Sequence, residues 1–213
     1  MVNHVYTYIN PIKEKDIEAA VTVLENDGVL AILLDVSWSF VCYAGSSKAL
    51  DRIHRIKPFH PKTQPFSLVT HSISAAAQLV NIGTSEYRLL KRIMPGPYTV
   101  LLERHVSLPK QIHDKRKIVG IRIPDSPLFQ ALSERFLRPI AASTVASRAS
   151  DSEEFGAEMP VFGWEIAESY GHGIDMILDL GNESSRLQTT IVDLTSGTPV
   201  LIRQGAGVFD DLG

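Results

Sequence analysis

Eight short apolar runs constrain the fold more than any other feature of the chain. They are VLAILL (29–34), FSLVTH (66–71), YTVLLER (98–104), IVGIRIP (118–124), PIAAST (139–144), IDMILDL (174–180), TTIVDL (189–194) and PVLIR (199–203). None exceeds seven residues and β-branched residues recur in them, which marks buried strands rather than helices. The runs come in stretches: nothing helical separates 98–104 from 118–124, and only turn residues separate the last three. Strict β-α-β alternation is therefore absent. The pattern predicts an α+β architecture, a twisted open sheet that is large and mixed, flanked by helices, rather than a doubly wound fold.

Helices fill the remaining segments. Asn10 reads as the N-cap and Pro11 as the first helical residue of a segment in which Ile17, Ala20, Val21 and Leu24 share a face, with Gly28 as a stop. SSKALDRIHRI reads as a helix capped by Ser46 or Ser47. SISAAAQL, TSEYRLLKRI, 126–137 and 160–170 complete the set.

At 213 residues the chain is long enough for one full core, and a single domain over 1–213 is expected. No apolar run approaches the roughly 20 residues that cross a bilayer, and the N-terminus lacks a targeting pattern, so no membrane partner is expected. The lone Cys42 rules out an internal disulfide framework and suits a reducing compartment, here the cytoplasm. The net charge of −3 hides a segregation. Between Lys48 and Arg122 stand 14 Lys/Arg against four acids, while the rest of the chain holds seven bases and 20 acids. Gathered on one surface, such a segment attracts anions; scattered over helix faces, it does not.

Several sites are absent from the sequence. No GxxxxGK[ST] loop, GxGxxG fingerprint, GxSxG elbow or HExxH is present, and no metal or redox-cofactor site is expected. Four stretches combine a rigid turn with a cation or hydroxyl. Lys57 precedes Pro58 in RIKPFHPKTQPF; Thr99 follows Pro95-Gly96-Pro97; Arg122 alternates with Ile121 and Ile123; Thr189 and Thr190 precede a strand, with Arg203 before the Gly-rich QGAG. An arginine placed like Arg122 must meet solvent or an anion. Arg122 and Arg203 could instead pair across the sheet with Asp193 or Asp179.

In this order, IK, SLVTH, PGPYTVLL, GIRIP, PIAAST, TTIVDL and IRQGAG resemble the YrdC-like family, the threonylcarbamoyl-AMP synthases, and within it the YciO branch. The resemblance spans about 28–207. It implies an α/β twisted open sheet with a basic concave cavity. It also implies an ATP-dependent nucleotidyltransferase joining L-threonine, bicarbonate and ATP into threonylcarbamoyl-AMP and pyrophosphate, with Mg²⁺ as helper, in tRNA t6A modification. Other tRNA-modification proteins would be partners. The second domain of longer members is not expected here.

Mapped onto this chain, the family's K-x-R motif falls on Lys57-Pro58-Phe59, so Lys57 is kept and Phe59 replaces the second cation. His60 and Lys62 are the candidates to compensate. The S-x-N motif falls on Thr144-Val145-Ala146, which keeps a hydroxyl and loses an amide. In LLDVSWSF, Leu33 and Leu34 replace Pro and Thr, leaving Asp35, Ser37 and Trp38 as the candidate threonine pocket. Arg122, Thr189 and Arg203 match the GxR, ST-VD and R-x-G elements. The resemblance thus implies a nucleotide and phosphate site of Lys57, Arg122, Thr144, Thr189 and Arg203, with no catalytic residue assigned. The alternative is a non-catalytic module that holds tRNA or double-stranded RNA in the same cavity.

Overall fold

The computed structural model describes residues 2–7, 12–57, 66–105, 107–108, 112, 117–145 and 159–209. Their strands are β1 (Asn3–Tyr6), β2 (Leu30–Leu33), β3 (Trp38–Tyr43), β4 (Ser67–Val69), β5 (Tyr98–Glu103), β6 (Ile118–Arg122), β7 (Ile140–Thr144), β8 (Met176–Asp179), β9 (Thr190–Asp193) and β10 (Val200–Arg203). The helices are α1 (Glu14–Glu25), α2 (Ser47–Ile56), α3 (Ile73–Ala76), α4 (Thr84–Ile93), α5 (Pro127–Phe136) and α6 (Gly163–Tyr170). All ten strands join one sheet in the order β1-β8-β2-β3-β7-β4-β6-β5-β9-β10. β1 and β2 flank β8 in parallel, β4 pairs β6 and β5 pairs β9 in parallel, and the remaining pairs are antiparallel. The large mixed sheet flanked by helices is the expected architecture.

Local chemistry sets the helix boundaries. Ser46 caps α2, its Oγ accepting from Ala49 N at 3.1 Å, and His54 and Arg55 in the last turn oppose the negative end of the helix dipole. Ser126 caps α5 in the same way ahead of Pro127. α1 differs from expectation. It starts at Glu14 behind Lys13, with no side-chain cap, and acidic Glu14 and Asp16 in its first turn favour the positive end of the dipole instead. Asn10 and Pro11 lie outside the described residues. α3 keeps only one turn of the expected SISAAAQL segment.

Two strands escape the sequence pattern. β1 is a four-residue edge strand, and β3 interleaves Ser39 with Trp38, Phe40 and Val41, so it shows no clean apolar run. Yet β3 is central, paired with both β2 and β7.

The two faces of the sheet are covered unequally. On one, Leu50 and Ile53 of α2, Leu90 of α4 and Ile166 and Tyr170 of α6 pack against Trp38, Phe40, Leu68, Val100, Ile121 and Val192. Each such fully buried side chain contributes about 1.5–3 kcal/mol. On the other, α1 and α5 pack over β8, β2, β3, β7 and Val69 of β4, and their cluster contains no residue of β6, β5, β9 or β10. That end of the second face carries Ile118, Leu101 and Ile191 beside Thr99 and Arg122, and the candidate site lies there.

Candidate functional site

Arg122 owes its position to the alternation of β6. Val119 and Ile121 turn into the helix-covered core, so Gly120 and Arg122 face the other way. Gly120 is tightly approached: a Cβ there would lie 2.9 Å from Thr99 Cγ2 and 3.1 Å from Ser67 Oγ. Arg122 is 3% exposed, and its Nη2 donates to Asp35 Oδ1 at 2.8 Å. Asp35 sits between β2 and β3, where its Oδ1 also accepts from Val36 N at 3.0 Å. Arg122 Nε and Asp35 Oδ2 are buried without a hydrogen-bond partner.

Arg203 ends β10 beside this pair. Its Nη2 donates to the Thr189 carbonyl at 2.8 Å, and Thr189 Oγ1 lies 2.8 Å from Thr99 Oγ1. Among the described residues Arg203 has no carboxylate partner, and its Nε is buried and unpartnered. Burial, with the nearby Arg122 cation second, pushes the Arg203 guanidinium below its ordinary pKa. The glycines after Arg203 permit this docking. Gly205 runs so close to residues 188 and 189 that a Cβ would lie 2.3 Å from Gln188 O and 2.5 Å from Thr189 C. Ala206 N then donates to Gln188 O at 2.9 Å, and Thr190 Oγ1 accepts from Gly205 N at 2.9 Å.

Lys57 stands apart from the arginines. It caps the C-terminus of α2 and is 5% exposed; its Nζ lies 2.6 Å from Ser143 Oγ and donates to the Thr144 carbonyl. Burial pulls the amine down from 10.5 to about 7. The degenerate K-x-R and S-x-N segments therefore meet, but Thr144 supplies its backbone carbonyl and the hydroxyl comes from Ser143. In the strand register Thr144 lies four residue steps beyond Ile140, which sits in the row of Val69 and Arg122. With two strand spacings across, the two groups of cations are on the order of 15 Å apart along the sheet.

The other candidates divide. Trp38 is fully buried in the helix-covered core and its indole donates to Val161 O at 3.0 Å, so it is not brought to the Asp35–Arg122 pair. Ser37 is buried, and its carbonyl accepts from Leu34 N. Trp164 is 54% exposed. Phe59, His60, Lys62 and Ala146 lie outside the described residues. The acids considered as partners for the arginines are engaged elsewhere: Asp179 with His4 at 2.9 Å and Asp193 with Thr195. Sequence reasoning singled out Thr99 only as a hydroxyl after a rigid turn and missed Ser143, whose only signal is a hydroxyl placed beside a motif residue. The basic segment is split as well. Arg88, Lys91 and Arg92 project from α4 on the helix-covered side, away from Arg122.

Together, the open ten-stranded mixed sheet, its unevenly covered faces and the polar cluster at one end of the second face define a twisted-sheet α/β protein with a buried cationic site. Comparison with known proteins places it more narrowly. The family model Sua5/YciO/YrdC, described as telomere recombination, matches residues 22–205, and the chain belongs to that family. The chain is 29% identical over 205 residues to Escherichia coli YciO, an uncharacterized protein, covering 95% of this chain and 96% of YciO. A crystal structure of E. coli YciO superposes with a TM-score of 0.88 at 27% identity, covering 99% of this chain and 98% of the other. The bovine (Bos taurus) threonylcarbamoyl-AMP synthase is 30% identical over 199 residues, covering 90% of this chain and 68% of the synthase. Pyrococcus abyssi Sua5 complexed with L-threonine superposes with a TM-score of 0.82 at 26% identity, over 96% of this chain and 57% of Sua5. Among the described residues no helix is long and apolar enough to cross a membrane.

Proposed function

We propose that the chain binds a nucleotide triphosphate on the second face of the sheet and acts as a threonylcarbamoyl-AMP synthase or a divergent relative. Its substrates would be ATP, bicarbonate and L-threonine or a similar small amine. One observation carries this reading: Arg203 lies close enough to Arg122 to feel its charge, and among the described residues Asp35 is the one carboxylate paired with either guanidinium. A buried guanidinium and a half-buried one beside one acid leave an unbalanced positive charge, which a bound polyphosphate would offset. The unpartnered Nε atoms of both arginines are donors awaiting acceptors. Thr189 and Thr99 add hydroxyls to the same patch, whereas Lys57, enclosed beside Ser143 toward the opposite face, stands outside it. The family's link to a threonylcarbamoyl-AMP synthase and to a threonine complex supports this substrate class.

A magnesium ion fits this site only as a companion of the phosphates. Among the described residues no three His, Cys, Asp or Glu side chains come together, and Asp35 Oδ2 is the buried carboxylate oxygen left without a partner at the arginines. Holding Mg²⁺ through substrate phosphates and a single carboxylate is common for this metal. When bound, the ion would neutralise charge on the triphosphate; Arg122 and Arg203 would orient it.

The test is pyrophosphate release on incubation with ATP, L-threonine and bicarbonate, with ATP affinity measured alongside. Activity that collapses in Arg203→Ala supports the synthase reading. ATP binding without turnover reduces it to a nucleotide site. If ATP does not bind but tRNA does, with affinity falling steeply as salt rises, the RNA-binding alternative replaces it.

A further inference from the structure

Ser143 and Lys57 form a pair that the nucleotide reading leaves unused. Ser143 pairs with Phe40 in the strand register and so lies toward the helix-covered face, while Arg122 and Arg203 serve the other. Ser143 is partly exposed, whereas Lys57 beside it is almost fully enclosed. The 2.6 Å separation of Lys57 Nζ and Ser143 Oγ is within proton-transfer reach. The Thr144 carbonyl takes one N–H of the amine and holds its remaining positions toward the hydroxyl.

Among the described residues the surroundings carry no charge to keep the amine protonated. β7 and β4 have no titratable side chain, and β3 offers only Cys42, whose thiol burial pushes far up, and Tyr43. On α2, His54 packs edge-on against Phe66 and Arg55 turns back to the Asp51 carbonyl. Glu165 of α6 is occupied by Val161 N and Phe162 N. Lys57 accordingly holds its proton only up to about pH 7.

We propose that Ser143 is a nucleophile with Lys57 as its general base, forming a second reactive centre for activated acyl groups. An acyl carbon suits it better than a phosphoryl group, which needs several cations around its oxygens, and no described cation other than Lys57 stands here. In the step, the Ser143 proton passes to Lys57 Nζ while Oγ bonds to the acyl carbon. The bond from that carbon to the leaving oxygen breaks, and that oxygen departs with the electron pair and takes the proton from Lys57 Nζ, which leaves the amine neutral again. Water then attacks the ester, Lys57 accepts its proton and returns one to Ser143 Oγ, and the acid is released. Serine–lysine pairs and desolvated lysines work in this manner.

The experiment treats the full chain with 4-nitrophenyl acetate from pH 5 to 9, following nitrophenol release and mapping acetylated peptides by mass. The expected result is one acetyl group on Ser143, at a rate that rises through about pH 7 and then levels. Ser143→Ala should abolish it, and Lys57→Met should slow it at least 100-fold with Ser143 intact. Nitrophenol release that persists unchanged in Ser143→Ala, or a rate that climbs tenfold per pH unit through pH 9 in both wild type and Lys57→Met, overturns the proposal. Should Ser143→Ala fail to fold, Ser143→Cys provides a second route, since Cys42 is the only other thiol and is buried. The new thiol should alkylate rapidly with iodoacetamide at pH 7 and slowly when Lys57→Met is added; equal rates overturn the pairing. Excess ATP forms a separate arm. Slower acetylation with ATP ties Lys57 to the nucleotide, whereas unchanged acetylation leaves the nucleophile standing and removes Lys57 from the nucleotide site.

Discussion

Asp35 holds Arg122 from across the sheet: Oδ1 and Nη2 are 2.8 Å apart, with side-chain exposures of 6% and 4%. A pair this dry is held by mutual need, because each charge alone would bear a large desolvation cost. Asp35→Asn should therefore cost about 3–5 kcal/mol, leaving Arg122 buried without a counter-charge beside Arg203. Asp35→Leu combined with Arg122→Met should recover most of that loss. Urea denaturation midpoints of the wild type and the two variants measure both effects. Equal destabilisation by Asp35→Asn and the double variant would mean that the carboxylate matters for turn geometry and not for charge.

The sequence exposed most of the sheet because buried strands declare themselves by short continuous apolarity, and α4 runs over the anticipated TSEYRLLKRI. β3 stayed hidden because Ser39 and Cys42 interrupt its aromatic residues and its burial comes from neighbours 100 residues away in β7. Arg122 was readable as a cation on the face opposite Ile121, since alternation alone decides that. Its partner was not. Nothing in a one-dimensional pattern distinguishes Asp35 from Asp179 or Asp193, and only the sheet order brings the turn after β2 to the end of β6. Ser143 was hidden for a similar reason: the resemblance put the motif hydroxyl at Thr144, but Lys57 enters from the other side and meets Ser143.

Lys57 makes the stability of the chain depend on alkaline pH. Its folded amine gives up its proton near 7, while the unfolded one keeps it to 10.5. Below about 7 both states are protonated, and the full cost of burying the cation is present. Between the two values the unfolded chain binds one more proton, so raising the pH favours the folded state by up to about 1.4 kcal/mol per pH unit. Lys57→Met should lack this contribution. The difference in unfolding free energy, wild type minus variant, should grow from pH 7 to pH 10 in denaturant titrations. A constant difference across that range would show that the amine stays charged when folded.

The close passage of Gly205 over residues 188 and 189 gives a third expectation. A Cβ at Gly205 would strike backbone, Gln188 O at 2.3 Å, which cannot swing aside as a side chain can. Gly205→Ala should lift the 203–208 segment, break the Ala206 N–Gln188 O bond and cost about 1–3 kcal/mol. Gly83→Ala is the control, because its Cβ would meet only the Glu86 side chain. Limited proteolysis should cut the first variant near Arg203 faster than the wild type and leave the second unchanged. Equal resistance of both would show that the segment tolerates a shift.

The hydroxyl pair of Thr99 and Thr189 separates stability from binding. The two oxygens lie 2.8 Å apart in a buried setting, and Thr189 also receives Arg203 through its carbonyl. Thr189→Val keeps the shape and removes one oxygen, so the Thr99 hydroxyl is left buried and alone at a cost of about 1–3 kcal/mol. Adding Thr99→Val removes the orphan, and stability should return close to wild type. ATP affinity should not return. If Thr189 also faces the phosphates, one lost hydrogen bond lowers affinity roughly tenfold in the single and double variants alike. Thermal unfolding and isothermal titration on the same preparations read the two quantities independently. Affinity that recovers together with stability would assign Thr189 to holding β5 and β9 together and remove it from the nucleotide site.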